Sequence, residues 1–303
     1  MRPETFPSVS IPGVCAGAPV ERLATGLKFT EGPVWIAQGA YLLFSDIPAN
    51  IIYKWSEEKG LEVWRKPSDN SNGLTLDLEG RLIACEHGSR TVTRAVLGGP
   101  KSVIAERYQG KRLNSPNDVV VRSDGSIWFT DPPYGLGPRD RRELDFDGVY
   151  RLDPTTGQLS CVARGFEKPN GLAFSPDEKV LYVGSSNPAS RLVRAYDVMP
   201  DGTLARERIF CDCSNPRDGA PDGLKVDVEG RLYVSCNGVM VFSPEGKLLG
   251  EIPCPESVAN IAFGGADWKT LFMTARTSLY RVRVLTAGVR VPASSPAAGR
   301  GAK

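Results

Sequence analysis

Histidine is almost absent from this chain: among 303 residues there is one, His87. Sites that need several imidazole groups, such as the catalytic zinc sites built on two or three histidines, therefore cannot form. The seven cysteines are scattered and include no Cys-x-x-Cys pair, so neither a disulfide framework nor a zinc cluster is indicated. Catalysis by a serine or cysteine nucleophile would have to pass through His87, and the chain has no Gly-x-Ser-x-Gly motif.

An excess of charge is also missing, because 37 basic residues nearly balance 35 acidic ones. The protein therefore lacks the strong net positive charge that would attract nucleic acid or an anionic membrane. The start of the chain lacks a signal-peptide pattern, no apolar run approaches the roughly 18 to 20 residues of a membrane span, and no phosphate-binding glycine motif occurs. We therefore expect a cytoplasmic protein with a small-molecule substrate and without nucleic-acid or membrane partners.

Turn-forming residues are plentiful, and they punctuate a repeat. Six segments share one pattern: a polar residue, a short apolar strand, a tight turn and a second apolar strand. The polar residues stand at positions 31, 72, 117, 170, 222 and 260, which are 41, 45, 53, 52 and 38 residues apart. Such intervals suit one four-stranded blade each. The sequence therefore predicts an all-β, six-bladed β-propeller over residues 20–290, after an N-terminal extension of residues 1–19 and before a disordered tail at 291–303.

Equivalent residues of the blades should meet around the propeller axis. A single Asn-Gly or Asp-Gly is usually only a turn signal. Here, however, all six positions carry a carboxylate or amide oxygen and none is basic. We therefore predict a polar ring at one height on the axis, formed by Glu31, Asn72, Asn117, Asn170, Asp222 and Asn260.

This donor set indicates a hard divalent cation. Two carboxylates with several amide oxygens are the ligands that Ca²⁺ prefers, and Mg²⁺ or Mn²⁺ can also use them. Zn²⁺ fits less well, because nitrogen and sulfur ligands are missing. Ligands that come from separate strands would be held by a prebuilt scaffold and could leave coordination positions open for water or substrate.

Three further candidates follow strand ends on the side where the ring should lie. His87 comes after Leu82-Ile-Ala-Cys85, and Asp131 and Tyr134 come after Ile127-Trp-Phe-Thr130. We predict substrate contact for all three, with proton transfer as a further role for His87. His87 lies a hairpin beyond Asn72, so it should not share the height of the ring and should face the substrate above the metal. The alternatives are a structural histidine and a plain Asp-Pro-Pro-Tyr-Gly turn.

The repeats carry motifs that resemble a known family. Glu31-Gly-Pro-Val-Trp35, Lys168-Pro-Asn-Gly-Leu-Ala-Phe174 and Pro221-Asp-Gly-Leu-Lys-Val226 are similar to the gluconolactonase, regucalcin and diisopropyl fluorophosphatase group of six-bladed propellers. The resemblance implies that Glu31, Asn170 and Asp222 are metal ligands and that Asn117 joins them or contacts substrate. One departure is Ser115, since regucalcin-like members have an arginine two residues before the asparagine of the third blade.

The resemblance also implies a reaction. We expect a metal-dependent sugar lactonase that hydrolyses glucono-1,5-lactone, or a related aldonolactone, to the aldonic acid. Asp222 is the first candidate for the base that activates water and His87 is the second, while Asn72 and Asn260 are added as substrate contacts. Two alternatives remain: a phosphotriester or fluorophosphate hydrolase that uses the same cage, and a non-enzymatic calcium-binding propeller.

Overall fold

The structure is a computed structural model that describes residues 3–165, 167–214 and 219–290. The strands of its first half are β1 (Glu4–Ile11), β2 (Cys15–Ala24), β3 (Thr30–Ile36), β4 (Tyr41–Asp46), β5 (Ile51–Ser56), β6 (Gly60–Arg65), β7 (Ser71–Leu76), β8 (Leu82–Glu86), β9 (Thr91–Ala95), β10 (Lys101–Ala105), β11 (Arg107–Tyr108), β12 (Lys111–Arg112), β13 (Val119–Val121) and β14 (Ile127–Asp131). The remaining strands are β15 (Gly148–Leu152), β16 (Leu159–Arg164), β17 (Pro169–Phe174), β18 (Val180–Ser185), β19 (Leu192–Val198), β20 (Leu204–Asp212), β21 (Leu224–Val226), β22 (Leu232–Ser235), β23 (Val239–Phe242), β24 (Leu248–Ile252), β25 (Val258–Gly264), β26 (Thr270–Ala275) and β27 (Ser278–Arg283). A short 3₁₀ helix, Ala37–Gly39, lies between β3 and β4.

Six antiparallel sheets form the blades of a propeller. Five have four strands in simple sequence order, such as β3-β4-β5-β6, and β11 and β12 form a small separate ribbon. The first strands of successive sheets contact one another in a closed circle that runs through β3, β7, β13, β17, β21, β25 and back to β3. The predicted six-bladed, all-β propeller is therefore confirmed.

Both ends of the described chain contribute to the sixth sheet. Its order is β1-β2-β27-β26-β25, so β2 pairs with the last strand of the chain and β1 adds a fifth strand outside it. Residues 4–11 and 15–24 are thus strands of a blade, although the sequence analysis treats residues 1–19 as an extension. The predicted tail at 291–303 lies outside the described residues.

The inner strands are irregular where they carry the ring residues. The antiparallel register shifts between Glu31 and Val34 in β3, and equivalent shifts occur in β7, β17 and β25. Such bulges change the direction of a side chain without ending the strand. They allow polar side chains to turn toward the axis from strands whose other residues pack between the sheets.

Apolar residues fill the spaces between neighbouring sheets. One cluster, for example, joins Ala173 and Tyr182 of the fourth sheet to Leu224 and Val226 of the fifth. A mostly apolar cavity of about 480 Å³ is lined by later residues of the inner strands, and none of the ring residues borders it. No helix in the described ranges is both long and apolar enough to span a membrane.

Candidate metal and substrate site

The six ring residues converge as the repeat predicts. The Asn72 amide donates to Oδ1 of Asn117 at 2.7 Å, and the Asn117 amide donates to Oδ1 of Asn170 at 2.6 Å. On the other side of the ring, the Asn260 amide donates to Oε2 of Glu31 at 3.0 Å. Asn170 also contacts the carboxylate of Asp222. Residues separated by 45 to 229 positions in the chain therefore form one polar centre.

The two carboxylates of the ring lie in surroundings that disfavour negative charge. Glu31 is 3% exposed, and burial raises its pKa to about 7, with the charge of Asp118 adding to the shift. Burial also raises the pKa of Asp222 well above its usual value, followed by repulsion from Glu31 and then from Asp118. Burial and mutual repulsion both act against ionisation of these carboxyl groups. A cation between them would stabilise their ionised forms.

Glycines that follow ring residues have a role that the turn interpretation misses. Gly171 lies inside strand β17, and a Cβ atom built on it would come within 2.1 Å of the backbone oxygen of Asp222 in the next blade. A Cβ on Gly32 would come equally close to the next blade, 2.0 Å from the backbone oxygen of Asn72. The Asn-Gly and Asp-Gly pairs at the ring therefore mark places where inner strands touch. The sequence signal for these contacts was the glycine that directly follows four of the six ring residues.

His87 lies closer to the ring than its distance along the chain predicts. Its Nε2 is 3.4 Å from Nδ2 of Asn72, and the imidazole also contacts Asn117. The structure thus brings His87 into contact with two ring residues, because β8 brings its end back beside the start of β7, and its contact with substrate stays a prediction. Burial lowers the pKa of His87 to about 4, so the imidazole is neutral near pH 7.

A turn after β14 covers His87. A Cβ on Gly135 would lie 2.5 Å from Cβ and Cγ of His87, so the turn touches the imidazole. Ser115 holds this turn at both ends: its hydroxyl donates to the carbonyl of Pro132 at 2.5 Å and accepts the N–H of Gly135 at 2.8 Å. In this chain Ser115 is buried and holds the backbone of the turn in place. Its position in the repeat did not reveal this role.

Tyr134 projects from the same turn over the ring. It is 40% exposed, and its hydroxyl contacts Ser186 and Asn170, with the charge of Asp222 nearby. Ser186 in turn accepts the Asn170 amide at 2.8 Å and donates to the carbonyl of Pro221 at 2.5 Å. Tyr134 is thus the accessible candidate among the residues predicted to contact substrate, and Ser186 is a neighbour that the sequence analysis missed.

Two other predicted substrate contacts have different surroundings. Asp131 is 0% exposed and accepts the backbone N–H of Asn114 at 2.7 Å, so its carboxyl group supports the segment before the ring residue of blade three. Asn260 uses its amide for Glu31 and its Oδ1 for the N–H of Ile261. Asn260 is thus fully engaged with protein groups, whereas Oδ1 of Asp131 is buried and lacks a hydrogen-bond donor in the described ranges.

The donor set fits a hard cation. Two acceptor oxygens near the ring, Oδ1 of Asn72 and Oδ2 of Asp118, are buried and lack a hydrogen-bond donor in the part of the chain that the structure describes. No three His, Cys, Asp or Glu side chains in these ranges form a metal site alone, so amide oxygens would have to complete the coordination. This combination of carboxylate and amide oxygens is the chemistry of Ca²⁺ sites.

Residues 29–277 match the model of the SMP-30/gluconolactonase/LRE-like region. The chain belongs to this family. Within it, a gluconolactonase of Zymomonas mobilis is 36% identical over 295 residues, covering 89% of this chain and 82% of that protein. A pentonolactonase of Haloferax volcanii is 29% identical and covers 82% of each.

Solved structures of similar proteins show the same architecture. A gluconolactonase from Xanthomonas campestris is 36% identical with a TM-score of 0.86, covering 94% of this chain and 97% of that one. Regucalcin from Agrobacterium tumefaciens is 17% identical with a TM-score of 0.76, covering 92% and 97%, and at this identity the likeness concerns the fold alone. The closed ring of six blades in this chain is thus a feature of the SMP-30/gluconolactonase/LRE-like fold.

Proposed function

We propose that this chain is a metal-dependent lactonase that hydrolyses glucono-1,5-lactone, or a related aldonolactone, to the aldonic acid. The observation that carries the proposal is the ring of two carboxylates and four amides in a chain whose relatives include a gluconolactonase at 36% identity. The same relationship supports the broader assignment to lactone hydrolases. The 29% identical pentonolactonase supports an aldonolactone as the substrate class.

Glu31, Asn170 and Asp222 would hold the cation, and Asn117 lies in hydrogen-bond contact with Asn170 to join them. Ca²⁺ is the proposed ion, with Mg²⁺, Mn²⁺ and Zn²⁺ as alternatives. When bound, it would polarise the lactone carbonyl and stabilise the negative charge that develops on the carbonyl oxygen.

Asp222 is the proposed general base. A carboxylate that binds the cation through one oxygen keeps the other oxygen to accept a proton from water. His87 is less suited to this role, because an imidazole with a pKa of about 4 is a weak base near neutral pH. We propose that His87 and Tyr134 instead form part of the wall against which the lactone binds, with Asn72 beside them.

A direct assay tests this proposal. Glucono-1,5-lactone hydrolysis releases acid, so a pH indicator should report turnover by the purified protein. We expect EDTA treatment followed by desalting to abolish the activity, and CaCl₂ to restore it. Activity that EDTA leaves unchanged would contradict the metal dependence.

A substrate panel separates the alternatives. The protein should hydrolyse glucono-1,5-lactone and pentonolactones faster than a phosphotriester or a fluorophosphate at equal concentration, with each of the four divalent cations. A preference for the phosphoryl substrates would favour the phosphotriesterase alternative. Calcium binding with no hydrolysis of either class would favour a non-enzymatic propeller.

Replacing Gly135 with Ala should impair lactone binding. The added methyl group would meet His87 at about 2.5 Å, so either the turn that carries Tyr134 or the imidazole has to move. We expect kcat/KM for the lactone to fall about tenfold, mainly through KM, with calcium affinity unchanged. Gly137→Ala is the matched control, because a Cβ at that exposed glycine meets only the Asp140 carboxylate at 3.3 Å. Equal kinetics for the two variants would show that the contact with His87 is unimportant.

A further inference from the structure

Asp118 is an unusual residue for its position in the repeat. Four of the six ring residues are followed by glycine, namely Glu31, Asn72, Asn170 and Asp222, whereas Asn117 is followed by Asp118. At these glycines the inner strands of adjacent blades touch. A carboxyl group in this position therefore requires space beside the axis, where four other blades have only the backbone of a glycine.

The carboxyl group of Asp118 is buried with one oxygen unpartnered. The residue is 2% exposed, and Oδ1 accepts the N–H of Val119 at 2.9 Å. The same Oδ1 is 2.8 Å from the place that a Cβ on Gly73 would take, so the group lies against the inner strand of the second blade. Oδ2 has no donor among the residues described. Burial of a charged oxygen without a partner is costly unless a positive charge lies nearby.

Asp118 lies directly beside the ring. It follows the ring residue Asn117 in the chain, and its Oδ1 lies against Gly73, the residue that follows the ring residue Asn72. Within the described ranges, neither Asp118 nor either acidic ring residue forms an ion pair with a lysine or arginine. The centre thus holds three acidic groups without a basic side chain paired to them in the described ranges, and an added cation would balance their charge.

We propose that Asp118 determines the cation affinity of the ring through its charge, without being a ligand. The proposal rests on the metal-dependent function proposed above. Asp118 does not group with Glu31 and Asp222 as a three-carboxylate site. Its effect therefore comes from the electrostatic field, which is strong in a buried centre that water does not screen. Asp118 would thus act on the cation from beside the ring, as a positioning residue.

Two variants test this role. Asp118→Asn keeps the shape and removes the charge, and Asp118→Gly installs the residue that four other blades have at this place. After removal of metal with EDTA, calorimetric titration with CaCl₂ should give a Kd at least about tenfold weaker for both variants. The metal-free Asp118→Asn protein should also melt at a higher temperature than the wild type, because a repulsive buried charge has been removed. A purely structural aspartate would give the opposite change in melting temperature.

Asp227→Asn is the matched control. Asp227 is a buried carboxylate of the fifth blade whose oxygens accept from Arg231 and Tyr233, and it lies outside the ring. Its replacement should leave the calcium Kd near that of the wild type. Wild-type calcium affinity in both Asp118 variants would overturn the role of Asp118 while leaving the lactonase proposal intact. Absence of binding of any divalent cation by the wild type would overturn both.

Discussion

The Asp222→Asn variant is expected to lose lactone hydrolysis by about 100-fold or more, the usual effect of removing a general base. Asparagine keeps the size of the side chain and one carbonyl oxygen, but it removes a negative charge from the ring and cannot take a proton from water. The contact with Asn170 can be retained, so the ring should stay assembled. Initial rates at saturating CaCl₂ measure the effect, and circular dichroism reports whether the fold is intact.

Asp227→Asn again serves as the control for this experiment. It removes a buried carboxylate from the same blade, at the end of β21 away from the ring, and should leave kcat nearly unchanged. Turnover near the wild-type rate in Asp222→Asn at saturating metal would transfer the base role to His87 or to a hydroxide on the cation.

Replacing Gly171 with Ala should cause a large loss of stability. The new methyl group would come within 2.1 Å of the Asp222 carbonyl oxygen and 2.7 Å of the Leu224 nitrogen, and both are backbone atoms that cannot rotate away. The fourth and fifth blades would have to separate, which also breaks the hydrogen bond from Gly171 N–H to Asp222 at 3.0 Å. We expect a cost of about 3 kcal/mol or more.

Thermal unfolding measures this cost, and a fall in Tm of about 5 °C or more corresponds to it. Gly137→Ala makes the same chemical change in an exposed loop, where the methyl group meets only the end of the Asp140 side chain, which can rotate away, so its Tm should stay near that of the wild type. Equal melting temperatures for the two variants would mean that the blades can move apart at little cost.

The repeat predicted the ring because a propeller converts equal positions in sequence into equal heights on one axis. Equal position in the repeat requires no knowledge of side-chain contacts, so the repeat placed Glu31 and Asn260 together although they are 229 residues apart. The repeat did not predict the contacts of His87 or Asp131, because neither residue opens a blade. Their surroundings depend on how one turn folds back onto the ring.

The role of the glycines was missed for a different reason. In isolation Asn-Gly has the chemistry of a turn, and only the distance between adjacent blades shows that Gly171 instead allows two strands to touch. The pairing of β2 with β27 could not be predicted from the sequence either. Residues 15–24 lack the repeat pattern, and their partner strand lies at the far end of the described chain.

Closure of the sixth blade by β2 has a consequence for the order of folding. Sheets one to five are built from consecutive strands, so each can form from a short stretch of chain, whereas β2 must wait for β27. Contacts between residues so far apart in the chain form slowly, because the chain loses much conformational entropy before the new contacts can stabilise it. The hydrogen bond from Asn260 to Glu31 joins the sixth blade to the first, which is the last contact that closes the circle of blades. The polar ring is therefore expected to be completed only in the last step of folding, so that a nascent or partly folded chain holds no assembled site.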